Sequence, residues 1–281
     1  MTAPALLADV GAMFGLPFMR NAFIGGTAIA VASGLVGYFV VLRNQVFTGD
    51  ALSHVAFTGT LAAALAGIDL RIGLFGATIA FALLFAALGD RLHLDDVAIG
   101  VVFAWVLGLG VLFLYLFDRG SGGSNGAIAA RTLFGSIFSL TRGQALVALL
   151  IGAGVTVCVA AIARPLLYAT IAPRSAAARG VRVGLLGTLF FVLLGIDAGE
   201  ATQAVGALLL LGLVAAPAGA ALRLTANPAL GLGLSVGFAV ASIWAGVSAA
   251  YAFPSVPPST AIIAVVVGIY AVSLCARRDR L

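Results

Sequence analysis

Long apolar runs alternate with short polar interruptions along nearly the whole of this chain. A run of about 20 apolar residues forms a helix long enough to cross a hydrocarbon core of about 30 Å. Backbone groups in lipid must find their hydrogen bonds inside the segment, so these runs are helices; barrel strands would alternate apolar with polar residues. The pattern predicts nine spans, at 21–42, 48–67, 72–88, 97–117, 145–163, 183–199, 203–222, 229–251 and 260–276. Only the polar patch from Asp197 to Gln203 separates the sixth from the seventh, so eight crossings plus a re-entrant piece also fits. The expected fold is all-α: a polytopic transmembrane helical bundle of about eight or nine spans, one domain over residues 1–281.

Loop arginines orient the bundle. With the N-terminus outside, the cytosolic segments hold Arg43, Arg91, Arg164, Arg174, Arg179, Arg182, Arg223, Arg277, Arg278 and Arg280, ten of the 15. Arg20, Arg71, Arg119, Arg131 and Arg142 remain outside. Two connections are long. Residues 118–143 open with a Gly/Ser tract and continue with an apolar stretch too short to span. Residues 164–182, RPLLYATIAPRSAAARGVR, are rich in Ala and Arg; Pro173 is suited to start a short helix there and Gly180 to stop it. Such a surface helix suits docking of a soluble partner, and an ordinary positive-inside loop is the plainer alternative. Small-residue pairs such as Gly34/Gly37 and Gly180/Gly184 suit close helix packing.

Composition narrows the classes. The chain is 62% hydrophobic and 9% charged, with mean hydropathy +1.18, which excludes an ordinary soluble domain. All 15 basic residues are arginine. Without lysine there is no Walker A phosphate loop and no Schiff-base chemistry, so a pump built on this chain draws its energy from another subunit. The pI near 9.9 does not signal nucleic acid, because the arginines are spread over short loops rather than one surface. Cys158 and Cys275 lie in apolar runs without CxxC spacing and read as small core residues. The N-terminus lacks a basic segment before its first apolar stretch, which argues against a cleaved signal peptide. No HExxH metalloprotease motif is present.

The costly polar groups mark candidate chemistry. FTGDALSHVAFTG, residues 47–59, puts Asp50 and His54 four apart on one helical face, with Ser53 and Thr58 on or beside it. A carboxylate and a neutral imidazole suit a divalent transition metal held loosely enough to exchange. Two ligands are too few for a tight site; a symmetric dimer would supply four, or water the remainder. The structural alternative has Thr48 capping the helix and His54 pairing with Asp50. His93, Asp95 and Asp96 in RLHLDD read as a solvated turn. Asp197 and Glu200 in LGIDAGEATQ are placed at the outer end of spans six and seven, either to attract an incoming cation or as solvated turn residues.

VVLRNQVFTGDALSHVAFTG resembles the hallmark segment of bacterial metal-type ABC importer permeases, the membrane subunits of zinc, manganese and iron(II) uptake systems. The likeness continues in order through DDVAIGVVFAWVLGLGVL, LFGSIFSLT, ARGVRV and QAVGALLLLGLVAAPAGAALRLT, over roughly residues 20–275. It implies a multi-pass protein of the bacterial cell membrane, paired with a second permease copy or a similar permease. It further implies a cytosolic ABC ATPase on each subunit, with hydrolysis confined to it, and an extracytoplasmic solute-binding protein delivering the ion. By the resemblance Asp50 and His54 contact the metal, and the 164–182 loop, with Pro173, Arg174, Arg179 and Gly180, is the coupling element. No prosthetic group is implied, only the transported zinc, manganese or iron. Three positions depart from the family pattern: Thr58 where proline is usual, and Ser136 and Ala172 where acids are common. A gradient-driven transporter or channel using the same Asp/His pair is the competing class.

Overall fold

The computed structural model describes residues 13, 15–92, 96–120, 132–135, 137–207 and 210–276. His93, Asp95, Arg131, Ser136 and the last arginines fall outside them, as does most of the Gly/Ser tract. The helices are α1 (Pro17–Leu42), α2 (Val46–Ala66), α3 (Leu70–Leu92), α4 (Asp96–Gly120), α5 (Arg142–Ile171), α6 (Pro173–Ala178), α7 (Val183–Val205), α8 (Leu210–Leu224), α9 (Pro228–Ala252) and α10 (Pro258–Ala276). Seven of them are long and apolar enough to cross a membrane by length and composition. The two remaining predicted spans are α2, which is too polar, and α8, which is too short.

Burial explains how α2 tolerates its polarity. It packs against α3, α4 and α7, and 14 of its 21 residues are buried. A helix sheathed by other helices meets little lipid, so hydroxyls and ionisable groups on it need only protein partners. The α2–α3 contact depends on two facing glycines: a Cβ on Gly59 would strike the carbonyl oxygen of Gly73, and the reverse also holds. Valine at position 59 is expected to cost about 1–3 kcal/mol through overpacking, seen as a lowered midpoint of thermal unfolding in detergent.

On the other side of the bundle α1 runs through the core against α5, α8 and α9. Gly34 and Gly37 both serve close packing, against the backbone of Val236 and the carbonyl of Val214. Gly180 does not: nothing lies within 4 Å of its Cβ position, and its φ of +83° instead turns the chain after α6. Cys158 and Cys275 are on the exposed surface of the bundle rather than in its core.

Two predicted boundaries move for physical reasons. The fifth span, expected to stop at 163 before Arg164-Pro165, continues as helix to Ile171. At 30 residues α5 is ~45 Å long and outruns the hydrocarbon core. Its last turns stay helical because Leu166 and Ala169 are buried against the bundle. The connection that follows is therefore shorter than 164–182 and is mostly α6, with Pro173 at its first turn. The start of α5 carries a capping box not read from sequence: Thr141 Oγ1 accepts from Gln144 N–H, and Gln144 Oε1 accepts from Thr141 N–H.

The second shift concerns the patch from Asp197 to Gln203, which is no turn. Helix α7 runs through it to Val205, and α8 starts only at Leu210. The break falls at Gly206, whose φ of +97° and ψ of 153° are closed to other residues. The short apolar stretch after the Gly/Ser tract packs into this break. Gly135, with φ +71°, approaches Val205 and Gly206, and Ala207 N–H donates to the Thr132 carbonyl at 3.1 Å.

Candidate functional site

Asp50 and His54 sit one turn apart in the first half of α2, the half that the arginine distribution assigns to the cytosolic side. Asp50 is half-buried and His54 is 8% exposed. The two side chains are near enough to act on one another's charge. The imidazole packs edge-on against Phe103 of α4, ring centroids 5.1 Å apart, and its Nδ1 is buried without a hydrogen-bond partner. A buried polar atom left unpaired is costly, so His54 stands out among the buried groups of this helix. Thr48 does not cap α2. The helix begins at Val46 with Gln45 in the capping position and no side-chain cap, and Thr48 Oγ1 lies buried without a partner.

Ser53 and Thr58 hold different posts. Ser53 Oγ lies 2.7 Å from the Asp50 carbonyl and 3.0 Å from the carbonyl of Ala207, at the α7–α8 break. Thr58 Oγ1 donates to the Val106 carbonyl at 3.1 Å and ties α2 to α4. Outward along the Asp50/His54 face, Phe57 and Leu61 form with Ala207 a small apolar cluster, joined by Phe113, Leu114 and Leu133. Among the described residues no group of three or more His, Cys, Asp or Glu is gathered to hold an ion.

Asp197 and Glu200 are not at a helix end but inside α7, 2% and 3% exposed. Ser33 of α1 donates to Asp197 Oδ1 at 3.1 Å, while Asp197 Oδ2 and Glu200 Oε2 have no partner. Arg71 on α3 is near enough for its charge to act on Glu200. With Thr60, Asp69, Gln144 and Gln203, Arg71 lines a cavity of about 340 Å³. Neither Ser33 nor Arg71 announces itself in the sequence, because partners 164 and 129 positions away carry no local signal.

At the end of the bundle assigned to the cytosol, α6 and the turn after it expose Pro173, Arg174, Arg179 and Gly180, with Ala176 buried beneath. The Arg179 guanidinium lies over the ring of Tyr168, 5.5 Å from its centroid. Ala172 precedes the helix without a side-chain cap.

Residues 15–277, almost the entire chain, match the ABC 3 transport family. The chain belongs to that family. It is the non-catalytic, multi-pass membrane subunit of a bacterial ABC transporter. It is 30% identical over 232 residues to the manganese transport system membrane protein MntC of Halalkalibacterium halodurans, covering 82% of this chain and 77% of that protein. The manganese import system permease protein ScaB of Streptococcus parasanguinis is 31% identical over 209 residues, 73% of this chain and 71% of that one. The fold is similar to a chain of PsaBC from Streptococcus pneumoniae, solved in complex with Fab, with TM-score 0.81, 24% identity and 95% of each chain covered. The structural likeness agrees with an all-helical polytopic bundle.

Proposed function

We propose that this ABC 3 family chain passes a divalent transition metal ion, manganese first and iron or zinc next, inward through an ATP-driven importer, with Asp50 and His54 as the resting site. The observation that carries the reading is the Asp50/His54 pair on the sheathed helix α2, with Nδ1 of the imidazole buried and unpaired. The names of the manganese relatives support the choice of cargo.

In this scheme an extracytoplasmic binding protein delivers the ion above a pair of permeases. The ion pauses between carboxylate and imidazole, held weakly enough to leave again. One protomer offers two such side chains and a second copy doubles them. Below, a cytosolic ATPase seats the exposed face of α6, with Pro173, Arg174, Arg179 and Gly180 at the contact. Its stroke travels along α7, which begins five residues after α6 and runs unbroken to Gly206. Asp197 and Glu200, buried on α7, then move with the helix that carries the stroke.

The test is purification of the tagged chain from its own host in mild detergent, with mass spectrometry of what accompanies it. A P-loop ATPase in stoichiometric amount, with hydrolysis stimulated by Mn²⁺, is the expected result. Recovery of the chain alone, in several detergents, would move the reading to a gradient-driven transporter on the same two residues.

A further inference from the structure

Arg43 ends α1 on the side of the membrane that the arginine distribution assigns to the cytosol. An arginine at that boundary ordinarily reaches outward and sets its charge among the lipid headgroups. This one turns inward onto α7. Its guanidinium carbon lies over the ring of Phe190, 5.2 Å from the centroid, and its Nη2 stands 3.7 Å from where a Cβ would sit on Gly187. Nη1 is buried and has no hydrogen-bond partner among the described residues. Burying an unpaired donor is costly, and attraction between the cation and the ring face offsets only part of that cost.

The contact belongs to a line. Gly187, Phe190 and Leu194 follow one another at steps of three and four residues, so they share a face of α7. Phe190 meets Phe39 of α1 edge-on, ring centroids 6.2 Å apart. One turn further along, Leu194 Cδ1 lies 3.9 Å from the Cβ position of Gly49, the residue before Asp50. Only Arg43, Asn44 and Gln45 join α1 to α2. That turn is tight: Asn44 N–H donates to the Val41 carbonyl at 3.1 Å and Gln45 N–H to the Val40 carbonyl at 2.8 Å, with Asn44 at a left-handed φ of 54°. A short hydrogen-bonded turn has little slack. A pull on Arg43 therefore arrives at the start of α2, about one helical turn before Asp50.

We propose that Arg43 is a positioning residue for transport, holding the base of α2 to α7 so that movement of α7 reaches the Asp50/His54 pair. This rests on the reading that α7 carries the stroke of a docked ATPase and that Asp50 and His54 hold the ion. Leu194 against Gly49 supplies the second point of hold. The charge matters because a cation over a ring is a directed contact, which an apolar side chain of the same length would not make.

The experiment uses the full chain co-expressed with its natural partners, purified as the complex and reconstituted into vesicles. Mn²⁺ uptake and ATP hydrolysis are measured on the same preparation. In Arg43→Ala the number of ions moved per ATP hydrolysed is expected to fall about tenfold, the order of coupling between linked sites. Arg43→Lys keeps a cation for the ring and should restore most of the ratio. Phe190→Leu should lower it as well, and the combined Arg43→Ala/Phe190→Leu variant no further than the lower of the two. An unchanged ratio in Arg43→Ala overturns the proposal, as does a lysine variant no better than alanine. Where Arg43→Ala fails to assemble, Arg43→Gln is read in its place; failure of both to assemble makes Arg43 a structural residue and overturns the proposal equally. A wild-type complex without ATP-driven Mn²⁺ uptake sinks the reading of the transporter and this proposal with it, whereas normal wild-type uptake beside an unchanged Arg43→Ala ratio sinks only the role of Arg43.

Discussion

His54→Ala is expected to lower metal uptake by about 100-fold, the upper end of what losing even an outer-shell partner does at a metal site. The protein should still assemble. The imidazole contributes a ring contact with Phe103, and its Nδ1 holds no hydrogen bond, so truncation breaks no polar network at that atom. Asp50→Asn should act in the same direction, since the amide retains the shape and removes the charge. Acid should reproduce the histidine defect reversibly. Only the neutral imidazole binds metal, so uptake falls as pH drops through the imidazole's titration and returns when pH is restored. Uptake into membrane vesicles, with the amount of assembled complex measured in parallel, checks all three. Retained transport by His54→Ala would remove the site from α2.

Gly206→Ala is expected to do more damage than its size suggests. The backbone there, φ +97° and ψ 153°, lies in a region that strains other residues by about 1–3 kcal/mol. A Cβ would also run into the Leu133 carbonyl, the Phe134 backbone and the Gly135 nitrogen, adding an overpacking cost of about 1–3 kcal/mol. Together these exceed what most single substitutions cost. The expected outcome is loss of a monodisperse peak on size exclusion and a sharply lowered thermal midpoint. Gly233→Ala and Gly237→Ala are the controls, because nothing lies within 4 Å of either Cβ position. Wild-type stability in Gly206→Ala would mean the break is not held as described.

How much of this was legible beforehand follows from range. The helices were readable because crossing a bilayer imposes a length and a composition on each segment separately. The Asp50/His54 pair was readable because four positions on a helix is a local relation. The patch at 197–203 was misread because local polarity looks the same in a turn and in a buried helix. What distinguishes them is Ser33 and Arg71, supplied by α1 and α3, and no property of LGIDAGEATQ discloses either. The end of α5 was placed too early for a similar reason. Arg164-Pro165 is a sound stop signal locally, and the burial of Leu166 overrides it. Gly206 stood in plain view in QAVGALLL, but its place at the break depends on Gly135 reaching it from another segment.

The seclusion of α2 bears on the bilayer itself. Lipids of different chain length change the hydrophobic thickness, and helices facing them respond by tilting, at a cost of fractions of a kcal/mol per Å of mismatch. In this bundle that adjustment falls to outer helices such as α5, where Leu150 and Val157 are 72% and 67% exposed. The Asp50/His54 pair rides on an inner helix that its neighbours largely cover. Its geometry is thereby insulated from membrane composition, and cells that remodel their lipids with temperature can do so without retuning the spacing between a carboxylate and an imidazole.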